Sequence, residues 1–162
     1  MGNKTTMENL QKALHMELTA AHQYQLHAHV LDDWGLDLLA KQMRVEMQEE
    51  LGHSDAFIAR ILFFQGQADM DFDRKPVQSE SLVSMFKSDL ADEEGAIEFY
   101  TRAAQQAAEA GDIGSRVLFE TIALDEEGHK SWLELQLSLI ERIGESAFSA
   151  KFVSGAGSGD SA

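Results

Sequence analysis

Along most of the chain, apolar side chains recur at steps of three and four residues, the spacing that places them on one face of an α-helix. The first stripe runs Leu10, Leu14, Glu17, Ala21, Tyr24, Ala28, Leu31. Thr5 with Glu8 three residues on is a capping-box signal at its start, and Gly35 interrupts it. The second runs Leu36, Leu39, Met43, Glu50, His53, Phe57, Ile61, Phe64, with Gly66 as its stop. The third, Leu82, Phe86, Glu93, Ala96, Tyr100, Ala103, Ala107, ends near Gly111. The fourth, Phe119, Ile122, Glu126, His129, Leu133, Ile140, ends at Gly144. The pattern predicts helices over about 5–33, 36–65, 80–109 and 113–142. A short amphipathic piece (Ala147, Phe148, Phe152, Val153) predicts a fifth helix, and the closing GAGSGDSA reads as flexible. The division expected is a bundle domain over 1–153 and a tail over 154–162.

The connections set the topology. Helices one and two, and three and four, are joined by two or three residues, so each pair is an antiparallel hairpin. The link over 66–79 contains Pro76 and no helical stripe, and its length needs a reason. A 30-residue helix is about 45 Å long, and fourteen extended residues reach roughly 46–50 Å. The link can therefore cross the whole bundle, which makes helices two and three parallel. The fold class predicted is all-α, a four-helix bundle of two antiparallel hairpins joined by a long crossover, with a short fifth helix.

Each stripe carries a glutamate where an apolar residue belongs: Glu17, Glu50, Glu93 and Glu126. Two are followed three residues later by histidine, as Glu50-x-x-His53 and Glu126-x-x-His129. Glu17 to Glu50 is 33 residues, as is Glu93 to Glu126, and an offset of 76 maps the first set onto the second. The same offset maps Tyr24 onto Tyr100, the chain's two tyrosines. This is an internal duplication of hairpins. A two-fold axis perpendicular to the bundle would bring the four mid-helix glutamates to one level, and it also requires helices two and three to be parallel. One Glu-x-x-His among 16 glutamates and six histidines is ordinary; the repeated set is not.

Four carboxylates facing one another in a dry bundle are costly, because burial and like-charge repulsion both oppose ionisation. Two divalent cations would offset four negative charges, with each histidine supplying one neutral nitrogen. Carboxylate and imidazole ligation without sulfur suits iron or manganese. Tyr24 and Tyr100, two turns beyond Glu17 and Glu93 on the same faces, read either as hydrogen-bond partners of the opposite ligand carboxylates or as structural tyrosines. Glu46 reads as a solvated residue or a mark of an ion route. Glu49, Glu94 and Glu127 are read as pointing away from the ligands. Most of His15, His22, His27 and His29 are read as solvated or interface residues.

Composition narrows the classes. Asp and Glu number 28 against 13 Lys and Arg, a net charge of −15, which repels nucleic-acid phosphates and anionic lipid and attracts cations. Without cysteine there is no disulfide, thiolate nucleophile, Cys-ligated zinc or iron–sulfur cluster. A single proline and seven methionines fit helix better than sheet. No run of 18 apolar residues and no apolar signal core at the N-terminus leads to the expectation of a cytoplasmic protein.

The segments HMELTAAHQYQLHAHVLDDWGL, EELGHSDAFIARILFFQG, KSDLADEEGA and DEEGHKSWLELQLSLIERIG resemble the bacterioferritins, around all six ligand positions and both tryptophans, Trp34 and Trp132. The resemblance covers essentially the whole chain and implies the ferritin-like fold. It implies a shell of 24 subunits that stores iron, with a ferroxidase centre in each subunit using O2 or H2O2. Glu17 and Glu93 would be terminal ligands, Glu50 and Glu126 bridging ligands, His53 and His129 the nitrogen ligands, and Tyr24 the tyrosine beside the centre. Two positions depart from the family. The methionine that holds haem between two subunits is replaced by Leu51, which has no ligating atom and puts the haem in doubt. A haem-free homo-oligomer and a shell mixed with a haem-binding paralogous subunit both fit. Val45 stands where some members carry an inner-surface histidine that passes electrons or iron to the core. Against this reading stand a rubrerythrin-type peroxidase, disfavoured by the lack of cysteine, and a non-catalytic shell subunit, disfavoured by the intact ligand set. A miniature DNA-protecting ferritin builds its sites between subunits, whereas this chain carries a complete set.

Overall fold

A computed structural model describes residues 3–155, so the sequence from Ala156 on, most of the expected tail, lies outside the described residues. Five helices follow in order: α1 Lys4–Asp33, α2 Asp37–Phe63, α3 Leu82–Glu109, α4 Ile113–Ile143 and α5 Glu145–Ala150. All lie within two residues of the limits the stripes predict, apart from α5, which is shorter than its apolar pattern. Among the described residues no helix is long and apolar enough to cross a membrane.

The helix ends show where local chemistry differs from the sequence reading. α1 is capped by Asn3, whose side chain accepts from the Thr6 amide at 3.3 Å, not by a Thr5–Glu8 box. α3 opens with a reciprocal Ser81–Ser84 capping box, and Asp112 caps α4 through the Ser115 amide. At the end of α2 the left-handed residue is Gln65 (φ 62°), not Gly66. Gly66 sits in a close approach: a Cβ there would lie 2.5 Å from the Met7 Cε and 3.1 Å from the Ile61 Cγ2, so the methionine would have to shift.

α1 packs along α2, and α3 along α4, and the hairpins meet chiefly through α1 and α3. Asn9 bonds Gln106, Glu17 bonds Tyr100, Tyr24 bonds Glu93 and His27 meets Asp89, a series that runs in opposite directions along the two helices. α1 and α3 are therefore antiparallel, and α2 and α3 parallel, as the crossover requires. The crossover holds eighteen residues rather than fourteen, because α2 stops at Phe63 and α3 starts at Leu82. It is not stretched to its limit. It follows a seam of α1 side chains one turn apart: Gln11 and His15 hold the Asp69 carbonyl, Thr19 accepts the Asp73 amide, and Gln23 pairs with both backbone groups of Val77.

The interior is two apolar clusters separated by a polar layer. One gathers Leu31, Leu39, Met43, Phe86, Leu133 and Phe148. The other gathers Leu10, Leu14, Phe57, Ile61, Tyr100 and Phe119. α5 closes the first by burying Phe148 against Phe86 and Phe152. The Ser154 amide donates to Asp37 at 2.8 Å, which ties a residue assigned to the tail onto the start of α2.

Candidate metal centre

Glu17 on α1, Glu50 and His53 on α2, Glu93 on α3, and Glu126 and His129 on α4 meet in the layer between the two clusters, and all six are buried. Three-residue spacing puts each glutamate and its histidine on one helical face. The six fall into two quartets, Glu17–Glu50–His53–Glu126 and Glu50–Glu93–Glu126–His129, whose ligand atoms lie within 4.8 Å of one another. Glu50 and Glu126 belong to both. His53 Nδ1 is 3.1 Å from Glu126 Oε1 and 3.6 Å from Glu17 Oε2. His129 Nδ1 is 3.2 Å from Glu50 Oε1, 3.3 Å from Glu126 Oε2 and 3.4 Å from Glu93 Oε1.

Inward-facing atoms are short of partners. Glu17 Oε2, Glu50 Oε1, His53 Nδ1, Glu93 Oε2, Glu126 Oε1 and His129 Nδ1 are buried without a hydrogen bond. Native interiors leave few such groups, and six converging on one point fit a pair of cations held by oxygen and nitrogen. The other oxygens of Glu93 and Glu17, by contrast, are held. The Tyr24 hydroxyl donates to Glu93 Oε1 at 2.6 Å, and the Tyr100 hydroxyl to Glu17 Oε1 at 2.5 Å. Burial and the neighbouring carboxylates push both phenols well above their ordinary range, so each keeps the proton it donates.

Three acidic residues complete the site; the sequence reading placed Glu49 and Glu46 elsewhere and gave Asp125 no role. His53 Nε2 lies 2.9 Å from Asp125 Oδ2. His129 Nε2 lies 2.7 Å from Glu49 Oε2 and 2.8 Å from Glu46 Oε2. Glu49 therefore does not point away from the ligands, and Glu46 is buried rather than solvated. A carboxylate on Nε2 fixes the proton there and turns the Nδ1 lone pair inward. The 76-residue offset pairs Glu49 with Asp125 directly, a signal the sequence held, whereas Glu46 has no such mark. Glu94 and Glu127 are exposed, as expected. Replacing Asp125 by asparagine is expected to weaken divalent-metal binding by about 10–100-fold. Competition against a chromophoric chelator reads this directly, and unchanged affinity would remove the role given to Asp125.

Without cations, protons must balance the cluster. Burial opposes a charged His53 imidazole, but the close carboxylates of Glu126 and Glu17 outweigh it and push it up to about 11. Burial likewise opposes charge on His129, and Glu126, Glu46, Glu50 and Glu93 overcome it and raise its affinity for a proton. Burial and the charges of Glu17 and Glu126 raise Glu50, and burial and Glu126 raise Glu93. Burial also opposes ionisation of Glu126, but its close approach to Glu93 and to the His129 and His53 imidazoles holds it ionised. Metal must displace these protons, so binding should tighten as pH rises. Loading at neutral pH is expected to release at least about two protons per chain, one from each imidazole, measurable with an indicator dye in weak buffer.

Comparison with known proteins agrees with this architecture. Residues 7–143 match the family model for the ferritin-like domain. The bacterioferritin of Rhodobacter capsulatus is 42% identical over 148 residues, 91% of each chain, and that of Brucella melitensis 37% over 147 residues, again 91% of each. The chain belongs to the bacterioferritin family. The crystal structure of the R. capsulatus bacterioferritin, described as having a metal-free dinuclear site and haem iron, superposes with a TM-score of 0.91 at 40% identity, covering 94% of this chain and 95% of that one. The Mycobacterium tuberculosis bacterioferritin gives 0.92 at 34% identity, covering 95% and 97%. As a bacterioferritin, the chain is an iron-storage protein with ferroxidase activity at a di-iron centre, and a subunit of an oligomeric shell.

The bacterioferritin haem does not transfer so simply. Leu51 is half-buried on α2 and offers no ligating atom. Met47, one turn earlier, packs against the Leu39–Phe86 cluster.

Proposed function

We propose that the six buried residues hold the iron pair, Glu17 and His53 on one ion, Glu93 and His129 on the other, with Glu50 and Glu126 shared. The observation that carries this assignment is the two quartets with exactly two members in common and their six unpartnered atoms turned inward. A pair of ferrous ions held side by side supplies two electrons at once to O2 or H2O2, so no one-electron oxygen radical need escape. The chain's part is to position and to manage protons. Tyr24 and Tyr100 fix the terminal carboxylates. Asp125, Glu49 and Glu46 orient the imidazoles. The groups that give up protons when iron binds lie within the pocket and can accept them again as it leaves.

The bundle acts as one domain within a cytoplasmic shell of 24 subunits, in keeping with the resemblance and with the −15 charge that draws Fe(II). Leu51 favours a homo-oligomer without haem, and a mixed shell would need a paralogous subunit to supply the methionine.

The test is stepwise anaerobic addition of Fe(II) to metal-free protein, followed by O2, with the ferric absorbance recorded. A fast phase saturating at about two irons per chain, then slower growth, is the expected record. If no fast phase appears, the six residues are structural and the chain serves the shell without oxidising iron.

A further inference from the structure

One cavity reaches the centre from the side of the crossover. It has a volume of about 70 Å3, room for several water molecules, and its walls include the four ligand carboxylates at the inner end and Asp73, Arg74 and Asp92 at the outer. The wall between is committed to other bonds. Thr19 is bonded to the His15 carbonyl and the Asp73 amide, Gln23 to Val77, and Asp89 to the buried His27. Asp73 itself is pinned by Lys12 at 2.6 Å. At the mouth, the Arg74 guanidinium reaches from the crossover to the Asp92 carboxylate on α3, with 45% of the arginine side chain and 35% of the aspartate side chain exposed. It is a long, half-exposed side chain that joins the crossover to α3 at this opening.

We propose that Arg74 and Asp92 set how fast divalent cations reach the metal centre through this cavity, an inference that rests on the di-iron reading of the centre. The paired mouth is close to neutral, since Arg74 cancels Asp92 and Lys12 cancels Asp73. A dication passing it feels any unit of unbalanced charge twice over, at short range and beside a low-dielectric wall. Removing Arg74 leaves the mouth acidic; removing Asp92 leaves it basic. Opposite charge steps at one place must change the rate in opposite directions if ions pass there. They change nothing if ions take another path. Neither residue touches a ligand atom at the centre, and a half-exposed ion pair contributes little to folding, so both variants keep the bundle.

The experiment mixes cobalt(II) with the metal-free, assembled protein in a stopped-flow instrument and follows the visible d–d bands, with an equilibrium titration alongside. Wild type, Arg74→Gln, Arg74→Lys and Asp92→Asn should all bind two cobalt ions per chain. Arg74→Gln should load faster and Asp92→Asn slower, each by about threefold to tenfold at low salt, and Arg74→Lys should stay within about twofold of wild type because the charge is kept. Both differences should shrink as salt rises, because the Debye length falls from about 30 Å at 0.01 M to about 3 Å at 1 M. Equal rates in Arg74→Gln and Asp92→Asn, or shifts in one direction, would overturn the proposal. Failure of wild type itself to bind two ions would instead overturn the di-iron assignment.

Discussion

Glu50→Gln is expected to abolish the fast phase of iron oxidation while leaving the bundle folded. Glu50 belongs to both quartets, so its loss weakens both metal positions together, whereas Glu17 and Glu93 each belong to one. The amide keeps the volume of the carboxyl and adds no cavity, so packing against the two clusters is unchanged. The stability effect has a definite sign. Burial and the charges of Glu17 and Glu126 disfavour ionisation of Glu50, so at neutral pH folding without metal costs the uptake of a proton there, a cost that a glutamine does not carry. Metal-free Glu50→Gln should therefore melt at or above the wild-type temperature. Redox-inert Zn(II) separates binding from chemistry: at 100 times the dissociation constant it stabilises wild type by about 2.7 kcal/mol, and that gain should be largely absent in the variant. Glu126→Gln should behave alike in oxidation. Calorimetry with and without zinc, beside the oxidation assay, decides the matter. A variant that oxidised iron at the wild-type rate would remove Glu50 from the site.

Phe86→Ala should have the opposite profile, a large loss of stability with the centre intact. Phe86 is fully buried on α3, edge-on to Trp132 at 5.9 Å and to Phe148 at 6.1 Å between ring centroids. It joins α3, α4 and α5 in one contact, and α5 has one buried residue, Phe148, to hold it there. Truncating such a ring costs about 3–5 kcal/mol, from lost transfer free energy and from the cavity left behind. In a chain of this size that lowers the melting temperature by on the order of 10 °C. Phe86 lies two turns from Glu93, and its cluster does not include the six ligands. Below its lowered melting temperature the variant should still bind about two metal ions per chain. A melting temperature unchanged from wild type would show that the Phe86 end of the bundle contributes little to the fold.

The duplicated hairpins, their mid-helix glutamates and the long crossover were legible because each rests on a short-range rule. Helical periodicity assigns a face, glycine and capping residues bound the ends, and two-residue links force antiparallel neighbours. The six converging residues were legible for the same reason, since a carboxylate in an apolar stripe is costly wherever it stands. The misread residues are those whose environment comes from another helix. Glu49 follows no apolar stripe and looks solvated from α2 alone, yet it meets His129 of α4. His27 sits in a run of histidines resembling a wet face and is fully buried against Asp89 of α3. The crossover carries no periodic signal, so its course along Gln11, His15, Thr19 and Gln23 depends on backbone groups that any sequence has.

By itself the amino-acid sequence determined the helices, their pairing into hairpins, and the level at which four glutamates and two histidines meet. These follow from spacing along a single chain, which a periodic structure converts directly into position. Only the tertiary structure decided that the histidines turn Nδ1 inward and rest Nε2 on Asp125, Glu46 and Glu49. It decided that the tyrosines grip the carboxylate of the facing hairpin, one of the two roles the sequence left open to them, and it alone showed that the crossover lays Arg74 against Asp92 over a cavity leading to the centre. Those contacts join residues far apart in the chain, and distances between such residues are set by how the two hairpins pack.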